Sequence, residues 1–122
     1  MPLETDDEHL ERVSNRLMGR GVYFEAADRE EDRLAIEYGT VAPGDGVPHQ
    51  QIGKVINAFR ELLDEGWEPT TIEATVVNVD DDRRRGSWRM EESWLRALEA
   101  GELSEVEFSG RVLDTIEEPS ES

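Results

Sequence analysis

Apolar residues recur every three or four positions in four segments of the chain, which is the spacing of an amphipathic α-helix. The second segment has the longest stripe, and Pro48 suits its first helical position. Gly66 and Trp67 directly after it predict a Schellman ending. The four predicted helices cover residues 5–18, 48–65, 91–101 and 103–116. At the start of the last one, Ser104 and Glu107 have the spacing of a capping box.

Between the helices, apolar and polar residues alternate with the period of a β-strand. The first two runs flank the polar segment DREED and predict a β-hairpin, and the β-branched third run is expected to pair with the fourth. The runs cover residues 22–27, 33–41, 70–79 and 86–90. In the first hairpin, the residues expected to face the core are Val22, Phe24, Ala26, Leu34, Ile36 and Tyr38.

This order of elements, α-ββ-α-ββ-αα, predicts an α+β domain with an antiparallel sheet of about four strands and helices mainly on one face. One domain is expected over residues 1–118, with residues 1–19 as a peripheral helix and 119–122 as a disordered tail. The other face of the sheet is polar enough to face solvent or a wet interface. Its residues are Tyr23, Glu25, Glu37, Glu73, Thr75, Val77 and Arg89.

The number of helices suggests that one chain cannot cover them all with its sheet. Four strands about 4.8 Å apart make a sheet about 19 Å wide, and helices pack about 10 Å apart, so one face holds about two helices. The remaining apolar stripes are expected to cover a sheet edge, stack on other helices or become buried against a second chain. Isologous pairing is the commonest arrangement of oligomers, which favours a homodimer.

The charge composition indicates adaptation to high salt. The chain has a formal net charge of −17, from 30 acidic and 13 basic residues among 122. Such charge is also typical of disorder, but the apolar residues keep helix and strand periods through most of the chain. Molar salt screens charges within about 3 Å, and surplus carboxylates keep a protein soluble. We therefore expect a halophilic source rather than a mesophilic one.

The composition also excludes several classes of protein. The chain has no cysteine, so disulfides, thiol catalysis and cysteine-based zinc sites are excluded. Its N-terminus is acidic and lacks an apolar signal core, and no apolar run approaches the roughly 20 residues that span a bilayer. We expect a soluble cytoplasmic protein with no membrane contact and no cofactor.

The loop and helix start at residues 42–54 form the best candidate for a ligand site. The segment GDGVPHQQIGK contains the only lysine, but its glycine spacing differs from that of a phosphate loop, and Val55 stands where Ser or Thr is required. A helix start can still hold a small anion. The candidate contacts are His49, Gln50 and Lys54, as part of an anion-binding protein or an enzyme. We identify no catalytic constellation.

The stretch VDDDRRRGSW contains the densest charge in the chain. Arg83, Arg84 and Arg85 are the only basic patch and therefore the candidate docking place for an anionic partner. Nucleic acid is an unfavourable partner for so acidic a chain, because its affinity comes mainly from cations that neutralise phosphates. Adjacent side chains on a turning backbone diverge, so the three aspartates do not predict a metal site. A solvated hairpin tip, with Gly86 in the turn, is the favoured interpretation.

Histidines offer little support for a metal centre. His9 lies near Asp6 and Glu8 on the first predicted helix, but a closed site needs more ligands in a defined geometry. The acids of DREED lack the glycine and the bidentate acid of a calcium loop at the required positions. No metal site is therefore predicted.

The segments EYGTVAPGDGVPHQQIGKVINAFRELLDEGW and GSWRMEESWLRALEAGELSEVEFSGRVLDTI resemble a group of small acidic haloarchaeal proteins of uncharacterised function. The resemblance covers about residues 20–117 and implies an archaeal cytoplasm, without any active site to carry over. The favoured function is a non-enzymatic module that self-associates and also binds another protein. The alternatives are a ligand-binding protein or enzyme that uses residues 42–54, and a nucleic-acid accessory protein that uses Arg83–Arg85.

Overall fold

The structure is a computed structural model that describes residues 2–44 and 46–118, with side chains from Leu10 onward. The α+β class and the predicted order of elements are confirmed. The predicted tail at residues 119–122 lies outside the described residues. In chain order the elements are α1 (Pro2–Met18), β1 (Tyr23–Arg29), β2 (Arg33–Thr40), α2 (His49–Asp64), β3 (Thr71–Asn78), β4 (Arg84–Met90), α3 (Glu92–Glu99) and α4 (Glu105–Leu113).

The four strands form one sheet in the order β1-β2-β3-β4, and this sheet is mixed rather than antiparallel. The two hairpins are antiparallel, as predicted, but β2 and β3 pair in parallel along their whole length. The antiparallel prediction was therefore wrong at the centre of the sheet. The physical reason is the connection, because α2 carries the chain back to the end where β2 began. A strand that follows such a crossover runs parallel to the previous one.

A β-bulge in β1 changes which of its residues face the helices. The register shifts between Phe24 and Ala26, which leaves Glu25 as the extra residue. Ala27, rather than Ala26, packs against the core. The prediction that Ala26 faces the core was wrong, because one inserted residue reverses the alternation beyond it.

The core lies between one face of the sheet and the four helices. At its centre, the indole Nε1 of Trp88 donates a hydrogen bond of 2.9 Å to the hydroxyl of Tyr38, and the two rings meet edge to face with centroids 6.4 Å apart. Burial raises the pKa of Tyr38, although the hydrogen bond from Trp88 opposes the rise. The tyrosine therefore stays a neutral phenol. Helical residues of this core include Val13, Leu17, Ile52, Val55, Phe59, Leu62, Leu95, Phe108 and Val112.

The C-terminal end of α2 agrees with the sequence prediction, and its N-terminal end differs from it by one residue. Pro48 is the N-cap rather than the first helical residue, since its ψ of 116° is extended. At the C-terminal end, Gly66 has a positive φ of 103°, and the Trp67 amide donates to the Leu62 carbonyl at 3.0 Å. This is the predicted Schellman ending, and the Trp67 ring packs on Phe59 with centroids 5.3 Å apart.

The first helix is held to α2 by packing and by ion pairs. Val13 and Leu17 are fully buried in the common core. On the surface, Arg12 and Arg16 both bind the carboxylate of Glu65. These contacts, chiefly the hydrogen bond from Arg16, lower the pKa of Glu65.

The main apolar stripe of each helix is thus buried within the chain, so far as side chains are described. The surplus of helices that favoured a homodimer is taken up by stacking of α1 on α2 and of α3 on α4. The homodimer stays a prediction, and burial of the helices' main apolar stripes no longer requires it.

The last helix begins with the predicted capping box. The Glu107 amide donates to Ser104 Oγ at 3.1 Å, and the Ser104 amide donates to Glu107 Oε1 at 3.0 Å. The hydrogen bond from the Ser104 backbone is the main cause of a lowered pKa at Glu107. Among the described helices, none combines the length and the apolar character needed to cross a membrane.

Candidate interaction surface

The connection from β3 to β4 is a tight acidic turn, as predicted. Asp82 has a positive φ of 58°, a conformation that aspartate adopts more readily than most residues. The Arg83 amide donates to Asp81 Oδ1 at 3.0 Å. However, β4 begins at Arg84, so Gly86 lies inside the strand and the prediction that it forms the turn was wrong.

Gly86 instead lies where the loop before α2 and the C-terminal segment approach β4 closely. Its φ is 152°, and a Cβ there would lie 2.5 Å from Val47 Cγ2 and 2.7 Å from the carbonyl oxygen of Glu117. Any larger residue would therefore push away both the loop before α2 and the C-terminal segment.

The side chain of Arg85 is buried inside the protein, unlike those of the two arginines before it. A bulge leaves it without a strand partner, and only 2% of its surface is exposed. Its guanidinium donates to three backbone carbonyls, those of Gly46 at 2.9 Å, Ala42 at 2.5 Å and Pro43 at 3.2 Å. Arg85 thus fixes the loop before α2 from inside. Arg83 and Arg84 remain exposed, and their role in binding an anionic partner stays a prediction.

A C-terminal carboxylate holds the same loop from the other side. Glu118 Oε2 accepts a hydrogen bond of 2.8 Å from the Val47 amide, and a Cβ on Gly46 would overlap this carboxylate. The preceding residue, Glu117, bridges to Ser87 through backbone hydrogen bonds of 2.8 and 2.9 Å. The C-terminal segment therefore covers the outer edge of β4 and brings an anion of the chain itself close to the start of α2.

The three predicted ligand contacts on α2 do not form one site. His49 and Gln50 are exposed in the first turn, whereas Lys54 is half-buried and its Nζ donates to the Arg20 carbonyl at 3.1 Å. Lys54 lines an open cavity of about 670 Å³ between the end of α1, α2 and α3. The described lining of this cavity includes neither His49 nor Gln50, and their ligand role stays a prediction.

The charges around this cavity largely balance. Its cations are Arg20, Lys54 and Arg60, and its carboxylates are Glu61, Asp64 and Glu99. Arg20 lies 3.5 Å from Glu61 and Arg60 lies 4.0 Å from Glu99. A phosphate would have to displace these carboxylates, so the cavity is a poor preformed anion site.

Within residues 10–44 and 46–118, no three of the His, Asp and Glu side chains are grouped so that they could hold a metal ion. The candidate site at His9, with Asp6 and Glu8, lies outside the described side chains.

The face of the sheet opposite the core carries no helix in the described part of the chain; we call it the open face. Strand register arranges its outward residues in three rows across the sheet, and these include all the residues that the sequence assigned to this face except Glu25, the extra residue of the bulge, whose carboxylate lies beside Gly39. The rows are Tyr23, Gly39, Val77 and Arg84; Ala26, Glu37, Thr75 and Ser87; and Asp28, Ala35, Glu73 and Arg89.

One end of the open face is apolar. Val77 is only 5% exposed although it lies outside the helix-side core, and Tyr23 and Val79 are 39% and 37% exposed. Val79 Cγ2 and Glu25 Oε2 lie 2.8 and 2.7 Å from where a Cβ of Gly39 would be. The glycine thus allows neighbouring side chains to close over the sheet at this end.

The centre of the face toward β4 forms a shallow groove of about 310 Å³. Hydroxyl groups of Thr75, Ser87 and Thr115 line it, together with the charged residues Arg84, Arg89, Glu73 and Glu117. The Thr115 hydroxyl accepts a hydrogen bond of 2.9 Å from the Arg89 amide, so the C-terminal segment forms one wall. Hydroxyls and arginines side by side make a surface that can donate and accept hydrogen bonds with a polar partner.

Charge is distributed unevenly across the open face. The β1 side carries the carboxylates of Glu25 and Asp28, and the β4 side carries the guanidinium groups of Arg84 and Arg89. Arg84 donates to Ser87 Oγ at 3.1 Å; among the described residues no carboxylate oxygen lies within 4 Å of it. Arg89 pairs with its neighbour in sequence, Glu91, at 2.9 Å.

At the end of the face away from Tyr23, the charge of Arg33 is balanced by carboxylates of the same chain. Arg33 contacts Glu30 at 2.7 Å and Glu73 at 3.1 Å. These contacts, chiefly the hydrogen bond with Glu30, raise the pKa of Arg33. The unbalanced charge of the face therefore runs from an acidic β1 to a basic β4.

The fold and this surface define a small α+β domain whose mixed sheet is covered by helices on one face and open on the other. The chain belongs to the family described as Domain of unknown function (DUF8159), whose model matches residues 4–122. Membership of an uncharacterised family is thus confirmed, and the match includes nearly all of α1, beyond the resemblance over residues 20–117. The haloarchaeal source stays a prediction. Neither the curated proteins nor the solved structures gave a match to the chain.

Sequence reasoning missed the two side chains that hold the loop before α2. Arg85 is one of three consecutive arginines, and only the bulge in β4 distinguishes it from the others. Glu118 is one of many acids near the C-terminus, and its contact with Val47 joins residues 71 positions apart. No local pattern marks such a contact; the glycines at positions 46 and 86 are the only trace of the close approach.

Proposed function

We propose that the protein is a non-enzymatic, salt-adapted interaction module that self-associates through the open face. The observation that supports this most directly is the open face itself, which combines the apolar end at Tyr23, Val77 and Val79 with a groove of hydroxyls and arginines. Protein interfaces combine apolar contact with polar groups that can pair across them, and the open face offers both, with its apolar part at one end. The apolar stripes of the helices are used mainly inside the chain, although Met18, Val106 and Leu113 stay exposed on them.

The edges of the sheet are less suited to pairing than its face. The exposed edge strand β1 contains a bulge at Glu25 and the charged residues Asp28 and Arg29, which are features that protect an edge from adding another strand. The opposite edge, on β4, is covered by the segment at Glu117. Face-to-face contact is therefore the arrangement that the fold supports.

High salt is part of this proposal. Two chains of net charge −17 repel each other strongly in dilute buffer, and molar salt reduces the range of this repulsion to about 3 Å. The proposed setting is the cytoplasm of a haloarchaeon, which the acidity and the sequence resemblance support. Self-association should accordingly increase with salt concentration.

The experiment is a comparison of two glutamate substitutions by sedimentation equilibrium in molar KCl. Thr75→Glu places a second carboxylate beside Glu37 at the centre of the open face, and Ser93→Glu makes the same change of charge on the exposed surface of α3. We expect Thr75→Glu to be monomeric, because stacked faces would bury like charges together, and Ser93→Glu to associate like the unaltered protein. Circular dichroism melts check that both variants fold. Equal association of the two folded variants would refute the use of the open face.

A second candidate function, binding of a small anion, has one observation in its favour. The cavity of about 670 Å³ is lined by three cations, Arg20, Lys54 and Arg60. Calorimetry with inorganic phosphate tests it, with Lys54→Gln as the variant. Saturable heat that Lys54→Gln abolishes would support an anion site, and the absence of heat in the unaltered protein would dismiss it.

A further inference from the structure

The unequal charge on the two sides of the open face specifies how a second copy would lie on it. This inference rests on the proposed function. Two copies of a sheet that pack with their strands aligned can be related by a two-fold axis along the strands or by one across them. The first places β1 of one copy over β4 of the other, and the second places each strand over its own counterpart.

Only the first arrangement pairs opposite charges. A two-fold axis along the strands keeps the rows in register, so Asp28 would lie over Arg89 of the second copy, and Tyr23 over its Arg84. An axis across the strands would place the carboxylates of β1 over those of the other β1, and the arginines of β4 over each other. Like charges in direct opposition are destabilising.

We propose that the protein forms a two-fold dimer in which the open faces stack with the strands of the two sheets in the same direction, β1 of each protomer over β4 of the other. The occupant of the open face is thus a second copy of this chain. Asp28 and Arg89 form the outer charge pair, and the exposed Tyr23 ring is placed to meet Arg84, a geometry that favours cation–π contact.

The size of the face sets the strength of this dimer. Four strands about 4.8 Å apart and seven residues long at about 3.3 Å per residue cover about 440 Å² per protomer, or about 900 Å² in total. Stable interfaces exceed about 1,200 Å². We therefore expect a weak dimer that assembles at high micromolar concentration in molar salt and dissociates on dilution.

A charge exchange between the two strands tests the arrangement. In molar KCl, Asp28→Arg opposes two cations, and Arg89→Asp opposes two carboxylates, so each is expected to weaken association about tenfold. The double variant restores an opposite pair and should recover most of the affinity. Asp28→Arg also makes the net charge less negative, and Glu102→Arg, an exposed site on the turn after α3, makes the same change as a control and should leave association unaffected.

Sedimentation equilibrium separates the failure of this geometry from the failure of the proposed function. If the unaltered protein associates and Thr75→Glu abolishes this association, but the double variant is as weak as the singles, the open face is the interface and the aligned arrangement is wrong. If the unaltered protein is monomeric at high micromolar concentration in molar KCl, both proposals are wrong. Recovery in the double variant alone supports the arrangement.

Discussion

On the helix-covered face of the sheet, Tyr38, Val76 and Trp88 are almost completely buried and share one apolar core. Their neighbours in sequence, Gly39, Val77 and Ser87, point to the open face and belong to no such core. The same strands therefore build two different surfaces at alternate positions. On the covered face each side chain is confined by a helix, whereas on the open face charges and hydroxyls keep their contact with water or with a partner.

The difference shows which positions determine folding and which are available for binding. A substitution on the covered face removes packing that nothing replaces. A substitution on the open face alters what the surface can bind and changes stability little, unless it affects the apolar end near Val77. Two pairs of adjacent residues, Arg84 with Arg85 and Val76 with Val77, allow this contrast to be measured as a difference in unfolding free energy.

The largest effect is expected where β4 departs from simple alternation. Arg85→Ala leaves the carbonyls of Ala42, Pro43 and Gly46 without their donor, and we expect a loss of about 3 kcal/mol or more in unfolding free energy. Arg84→Ala, one residue away and exposed, should change it by less than about 0.5 kcal/mol. Chemical denaturation in molar KCl measures both. Similar small losses in the two variants would contradict the anchoring role of Arg85.

The two adjacent valines of β3 compare the faces with the same substitution. Val76→Ala removes two methyl groups from the helix-side core, and a loss of about 2 kcal/mol is expected. Val77→Ala removes them from the apolar end of the open face, where the surroundings can relax, and about 1 kcal/mol is expected. Denaturant midpoints of the two variants, measured on the monomer, show which substitution causes the larger loss of stability. A larger loss at Val77 would mean that the open face is covered.

The hydrogen bond between Tyr38 and Trp88 distinguishes polar from apolar contributions to the covered face. Tyr38→Phe keeps the ring but leaves the indole N–H of Trp88 buried without its acceptor, and a loss of about 1.5 kcal/mol is expected. The double variant with Trp88→Phe should lose less than the sum of the two single losses, because the orphaned group is removed. Additive losses would show that the hydrogen bond contributes nothing.

The capping box of α4 lies apart from both faces, and its removal is expected to cause one of the smallest losses of unfolding free energy. Ser104→Ala removes the N-cap, with an expected loss of about 1 kcal/mol at neutral pH. The folded state lowers the pKa of Glu107, so the contribution of its carboxylate is present above the pKa of the unfolded state. It is lost as the pH falls through the lower folded pKa. Glu107→Ala removes this carboxylate, and the difference in unfolding free energy between it and the unaltered protein should therefore shrink in acid, at constant salt. A difference independent of pH would contradict the role of the carboxylate.

The features of this fold that were predictable from sequence are local. The alternation of Leu34, Ile36 and Tyr38 predicted their burial, and the spacing of Ser104 and Glu107 predicted the capping box. Each depends on residues within a few positions of one another, and local geometry determines the outcome.

The features that were missed depend on pairing between distant segments. The bulge at Glu25 reverses alternation in β1, and the bulge at Arg85 buries one arginine of three; neither has a distinct local pattern. The parallel centre of the sheet follows from the path of α2, and the contact between Glu118 and Val47 follows from where the C-terminal segment ends. The composition of the open face was predictable, but the separation of its charges between β1 and β4 required the strand order.

The most direct test of self-association through the open face is sedimentation equilibrium of the unaltered protein at high micromolar concentration over a series of KCl concentrations. We expect a monomer in dilute buffer and a growing fraction of dimer as KCl rises to molar concentration, because screening removes the repulsion between two chains of charge −17. A folded monomer at every salt concentration would contradict it.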